Sequence, residues 1–149
     1  MSGASSTTSP SDHWPTGRTW LAVGGGQSCA RRVSGTVACW GVNQSGELGD
    51  GTFRTPNHTS TPVTGISDAI GLGLGADHSC VVRATGAVSC WGANADGQLG
   101  NGTITAALTP VAVTGITTAA QVVGGDSHTC ARTRTGEVWS TVLALPSPS

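Results

Sequence analysis

The sequence predicts an all-β repeat protein, and three observations carry that expectation. First, the thirteen residues Cys29 to Gly41 return as Cys80 to Gly92, 51 positions later, with seven of the thirteen identical and the closing Cys-Trp-Gly unchanged. A third copy begins at Cys130, a further 50 positions on, and runs through Gly136 and Val138. Second, the 23 glycines, with abundant Ser and Thr, break the chain into short β-branched runs separated by Gly, Asn, Asp and Pro, the pattern of many strands and turns. Third, no stretch places apolar residues at helical spacing for three turns. A period of this length means stacked units, each unable to bury its apolar face alone.

In chain order, Met1 to Arg18 is polar, rich in Ser, Thr and Pro, and has no apolar segment fit for a signal peptide. It reads as a flexible leader. The second copy defines the unit. Ile66 to Gly75 gives a strand whose glycines admit a close neighbouring backbone. His78 to Arg83 gives a second strand. Ala84-Thr85-Gly86 makes a tight turn with glycine where a positive φ is required, and Ala87 to Trp91 returns antiparallel. Asn94 to Thr103 forms a glycine-punctuated loop, and Pro110 to Val113 is the last strand. The first copy repeats that loop as Asn43 to Thr52. Its following segment, Phe53 to Thr61, differs in length, as a surface loop can.

Four short strands per fifty residues is the content of one propeller blade. The expected fold is therefore a partial β-propeller, with about two complete four-stranded blades plus a fragment of a third. The units span about 19–65, 66–115 and 116–139, the last incomplete. Residues 140–149 replace the next Cys-Trp-Gly with a Pro- and Ser-rich tail, so the third copy reads as truncated. An arc of this size leaves strand edges and apolar faces open, which implies marginal stability, self-association through the open edges, or a covering partner.

The motif Cys-Trp-Gly-x-Asn-x-x-Gly-x-Leu-Gly-x-Gly-Thr, then Pro-Val-x-Val-x-Gly-Ile and Gly-x-x-His-Ser/Thr-Cys, resembles the regulator of chromosome condensation repeat over Trp20 to about Val138. The resemblance implies a propeller, usually of seven blades. The version with a cysteine pair in each repeat is similar to bacterial, often exported, members. It also implies a repeat core built on Trp40, Trp91, Leu48, Leu99, Gly41 and Gly92. The family includes a nucleotide exchange factor for a small nuclear GTPase, but no loop here matches that activity.

Cys29 and Cys39 lie opposite one another in a hairpin centred on Ser34, as do Cys80 and Cys90 about Thr85. Facing Cβ atoms in such a pair approach disulfide reach. Either two disulfides form, or four thiols fill a small core. Paired cysteines suggest an extracellular or periplasmic site, and the lack of a signal peptide suggests the cytoplasm. Cys130 faces Ser140, so it is expected to be an unpaired thiol. Tryptophans at this position are expected to pack between blades.

With seven Lys plus Arg against eight Asp plus Glu, and only 10% of residues charged, the chain lacks the clustered cations of a nucleic-acid interface. Arg31, Arg32, Arg132 and Arg134 read as solvated surface. No apolar run is long enough to cross a bilayer. His78-Ser79-Cys80 and His128-Thr129-Cys130 lack the spacing of a metal cluster, and Asn94-x-Asp96-Gly97 supplies too few oxygens for a calcium loop. No nucleophile elbow, phosphate loop or dinucleotide fingerprint is present. Asp77 and Asp126 recur beside histidines, and repetition argues for structure, since a catalytic group is needed once. No catalytic residue, metal or cofactor is expected. The function expected is non-enzymatic recognition of a protein partner through Phe53 to Thr61 and Ile104 to Thr109. The alternatives are guanine-nucleotide exchange on a small GTPase, which an exchange assay would detect, and a fragment without independent function, which a non-cooperative melt would indicate.

Overall fold

Strand and turn follow each other through the computed structural model, which describes residues 19–54, 56–141 and 145–147. The leader expected over residues 1–18 lies outside the described residues. The strands are β1 (Thr19–Val23), β2 (Gln27–Arg32), β3 (Val37–Gly41) and β4 (Asn57–Pro62), then β5 (Ala69–Leu74), β6 (His78–Arg83), β7 (Val88–Gly92) and β8 (Ala107–Ala112), then β9 (Ala119–Gly124), β10 (Thr129–Thr133), β11 (Val138–Ser140) and β12 (Leu145–Ser147). They form three four-stranded antiparallel sheets in the orders β1-β2-β3-β4, β5-β6-β7-β8 and β9-β10-β11-β12. Sheet one packs on sheet two through β1, β2 and β5, and sheet two on sheet three through β5, β6 and β9.

The hairpins are set by their turns. Arg83 N donates to Ala87 O at 2.8 Å while Gly86 N donates back to Arg83 O at 2.9 Å. Gly86 has φ +93°, and a Cβ there would lie 2.3 Å from Thr117 O of the next unit. Only glycine both reverses the chain and admits that neighbouring backbone. The same geometry recurs at Gly35, against Ser67 O. Each turn therefore also docks the following sheet, with Ala69 N donating to Gly35 O at 3.0 Å and Ala119 N to Gly86 O at 2.8 Å.

Two segments treated as loops in the sequence are partly strand. Asn57 to Thr61 lies in β4, paired with β3 through Ala38↔Pro62 and Cys39↔Thr61. Ala107 to Thr109 opens β8, with Gly92↔Ala107 in register. The outer edge of β3 or β7 otherwise leaves ladder groups unpaired, and Thr-rich chain is well suited to pairing there. The proline-rich end behaves likewise. Ser140 belongs to β11, and Leu145–Ser147 pairs with it through Trp139↔Pro146, an edge position where a missing N–H is tolerated.

The core lies in two seams. Between sheets one and two, Val37, Leu48, Val63, Ile66, Val81 and Trp91 form one cluster. Between sheets two and three, Val88, Leu99, Ile116, Val122 and Ala131 form its counterpart.

Candidate functional site

The seam between sheets one and two is locked by polar groups as well as by apolar ones. The Trp91 indole is fully buried, and its N–H donates to Glu47 O at 2.8 Å. The Ser79 hydroxyl donates to the same carbonyl at 2.9 Å. The ring lies so close to Gly49 that a Cβ there would sit 2.7 Å from the indole nitrogen. Gly49, at φ +71°, is thus the bare floor on which the tryptophan rests. In the second seam the Thr129 hydroxyl donates to Gln98 O at 2.8 Å, repeating the Ser79–Glu47 bond.

Gln27 and His78 occupy equivalent starts of β2 and β6, and both are fully buried. Gln27 Nε2 donates across the seam to Gly75 O at 3.2 Å and His78 O at 3.0 Å. His78 Nε2 lies 2.8 Å from Thr129 Oγ1. Since the threonine hydrogen goes to Gln98 O, the imidazole is the donor and carries its proton on Nε2. Its Nδ1 is buried without a hydrogen-bond partner. Burial pushes the His78 pKa down from its ordinary value, because water no longer solvates the cation. Glu47 is also buried, with Oε1 accepting from Ser45 N at 2.7 Å and Oε2 without a partner. Burial pushes its carboxyl up, and Asp77 adds to the effect.

Cys29 is bonded to Cys39 and Cys80 to Cys90, each pair with Cα atoms 4.1 Å apart. Cys130 is free, opposite Ser140. Leu48 and Leu99 are fully buried. Gly41 and Gly92 sit at the register shifts of β3 and β7, with φ +109° and +107°. Trp40 and Trp91 share a register position, opposite Ser28 and Ser79, yet Trp40 is only half-buried. The preceding unit covers Trp91, and no such sheet precedes sheet one among the described residues.

The arginines serve separate purposes. Arg31 stacks on Trp20 at 3.6 Å, Arg83 pairs with Asp68 at 2.8 Å, and Arg132 Nε donates to Gln121 at 3.3 Å. Asn94 organises its loop: Leu99 N donates to its Oδ1 at 3.0 Å while its Nδ2 donates to Thr103 O at 3.0 Å and Thr105 O at 2.9 Å. Asn43 does the same toward Leu48 and Thr52. Among the described residues no group of three or more His, Cys, Asp or Glu could hold a metal, and no helix is long and apolar enough to cross a membrane.

Where successive loops end, Phe53 and Ile104 stand 51 positions apart and are both exposed. Beside Ile104 opens a cavity of about 420 Å³ between sheets two and three, walled by Val88, Val113, Ile116, Ala131 and Trp139. The repeat pattern marks the loops in advance. The seam carbonyls, their Ser79 and Thr129 donors and the cavity escape it, because they join residues tens of positions apart.

Four-stranded sheets packed through a tryptophan-and-carbonyl seam define a β-propeller arc. The arc consists of regulator of chromosome condensation repeats, and the chain belongs to that family. Residues 85–132 and 70–98 match two models of the regulator of chromosome condensation (RCC1) repeat. The chain is similar to human probable E3 ubiquitin-protein ligase HERC3, 30% identical over 116 residues, covering 74% of this chain and 11% of HERC3. Among solved structures, human WBSCR16 superposes with a TM-score of 0.75 at 22% identity, over 84% of this chain and 33% of that one. Prp20p of Saccharomyces cerevisiae superposes at 0.72 and 17%, over 84% and 34%. The chain thus spans about a tenth of HERC3 and a third of either solved propeller.

Proposed function

We propose that the chain is a non-enzymatic protein-recognition module, contacting its partner through the loops that close each blade. The observation that carries this reading is the pairing of Phe53, 49% exposed, with Ile104, 73% exposed, at equivalent positions of adjacent repeats. Backbone repetition places two apolar side chains on the same side of the arc, where rigid sheets hold them apart at a set spacing. Exposed apolar anchors on a polar rim are the usual core of a protein interface. Arg54, the one non-glycine residue with positive φ (+62°) among the described residues, holds its guanidinium 5.4 Å over the Phe53 ring, which stiffens that anchor. In support, the Prp20p structure is described with binding to Gsp1p and histones, protein partners of a propeller of the same fold.

Affinity capture with the full chain as bait, from cells of its source, tests the reading. A saturable protein partner should be retained by the wild type and lost on Phe53→Asp with Ile104→Asp, the melting temperature staying unchanged. Retention by the double variant would refute a loop-borne site.

A further inference from the structure

The cavity between sheets two and three occupies the place that an indole fills in the seam before it. On β7, Trp91 faces Ser79 of β6. Its counterpart on the third sheet is Thr141, whose N donates to Thr129 O at 3.0 Å while Thr129 N donates to its Oγ1. The threonine side chain is far smaller than an indole, and the aliphatic wall of the slot is matched position for position, while Trp139, which stands where β7 has Ser89, lines one side of it. Val88, Val113, Ile116 and Ala131 wall the cavity, as Val37, Val63, Ile66 and Val81 cluster with Trp91. Gly100 supplies the bare floor at φ +65°, as Gly49 does under Trp91, and a Cβ on it would lie 3.0 Å from Thr141 Cγ2. Gln98 O accepts the Thr129 hydroxyl just as Glu47 O accepts Ser79, and Glu47 O also takes the Trp91 N–H.

We propose that this slot is a binding site for a small indole-bearing ligand, its ring filling the space beside Thr141 and its N–H received by Gln98 O. A carbonyl oxygen has two lone pairs, and in this seam one is committed to Thr129. At about 420 Å³ the cavity is of a size that takes small ligands, with mostly apolar walls, and Thr129, whose hydroxyl donates to Gln98 O, is part of its lining. The site arises because one tryptophan of the repeat is replaced while an aliphatic wall and a glycine floor remain at the positions around it.

Titration of the full ¹⁵N-labelled chain with indole tests the proposal. Saturable shifts are expected at the amides of Gly100, Thr129 and Thr141. 1-Methylindole, which lacks the donor, should bind up to about tenfold more weakly, the span of one hydrogen bond. Thr141→Trp, filling the slot from within, should abolish indole binding and raise the melting temperature. Ala131→Leu obstructs the same slot from the opposite wall and serves where the tryptophan variant does not fold. Absence of saturable shifts, shifts centred elsewhere, or undiminished affinity in a folded obstructed variant would each overturn the assignment.

Discussion

Glu47 and Gln98 hold the same turn position in successive loops, Oε1 accepting from Ser45 N at 2.7 Å in one and from Asp96 N at 2.8 Å in the other. Only Glu47 can carry a charge there, and burial raises its pKa from the ordinary 4.5. A raised carboxyl favours folding below its unfolded value, and that contribution is lost as pH rises through the folded value. Glu47→Gln, which copies the neighbouring repeat, should therefore stabilise the chain by about 1–2 kcal/mol at pH 7. Urea melts at the two pH values should show the gain disappearing at pH 4. His78 runs the other way. Its pKa is lowered from 6.5, so its contribution is present above 6.5 and lost as pH falls through the folded value. His78→Gln, which copies Gln27, should flatten the loss of melting temperature between pH 7 and 5. An unchanged acid slope would mean that His78 is not the group responsible.

At the scale of the strand pair, a cysteine faces a cysteine in the central hairpins of sheets one and two and a serine in that of sheet three. Cys130 lies opposite Ser140 as Cys29 lies opposite Cys39. Ser140→Cys should close a third disulfide under oxidising conditions, read as loss of the free thiol in a thiol assay. The small loop limits its stabilisation to about 2–3 kcal/mol. Reduction of the two existing bonds should lower the melting temperature, with a comparable limit for each. A thiol count that stays at two in the oxidised variant would show that β10 and β11 do not hold the register described.

Across the whole molecule, equivalent residues differ by what the next sheet covers. Leu72 packs into the first seam and Leu74 is 7% exposed, while their counterparts Leu21 and Val23 on β1 are 65% and 74% exposed. Trp91 is sealed and Trp40 half-open. Trp91→Ala should cost about 3–5 kcal/mol and Trp40→Ala less than half of that, measured by denaturant melts of each variant. Equal costs would show that position in the array makes no difference to the seam.

The period was legible because it is a repetition of letters that needs no fold to be seen, and the hairpin centres and glycine turns because each depends on residues within about a dozen positions of one another. That was enough to determine four strands per unit, the facing cysteines and the blade architecture. What tertiary structure decided lies between units: which carbonyl receives the Trp91 N–H, how far Trp40 is covered, that Leu145–Ser147 returns to the sheet, and that a cavity stands where Thr141 replaces an indole. Those outcomes depend on surfaces brought together from about fifty residues apart, and a side chain's burial there is set by the neighbouring sheet rather than by its own strand.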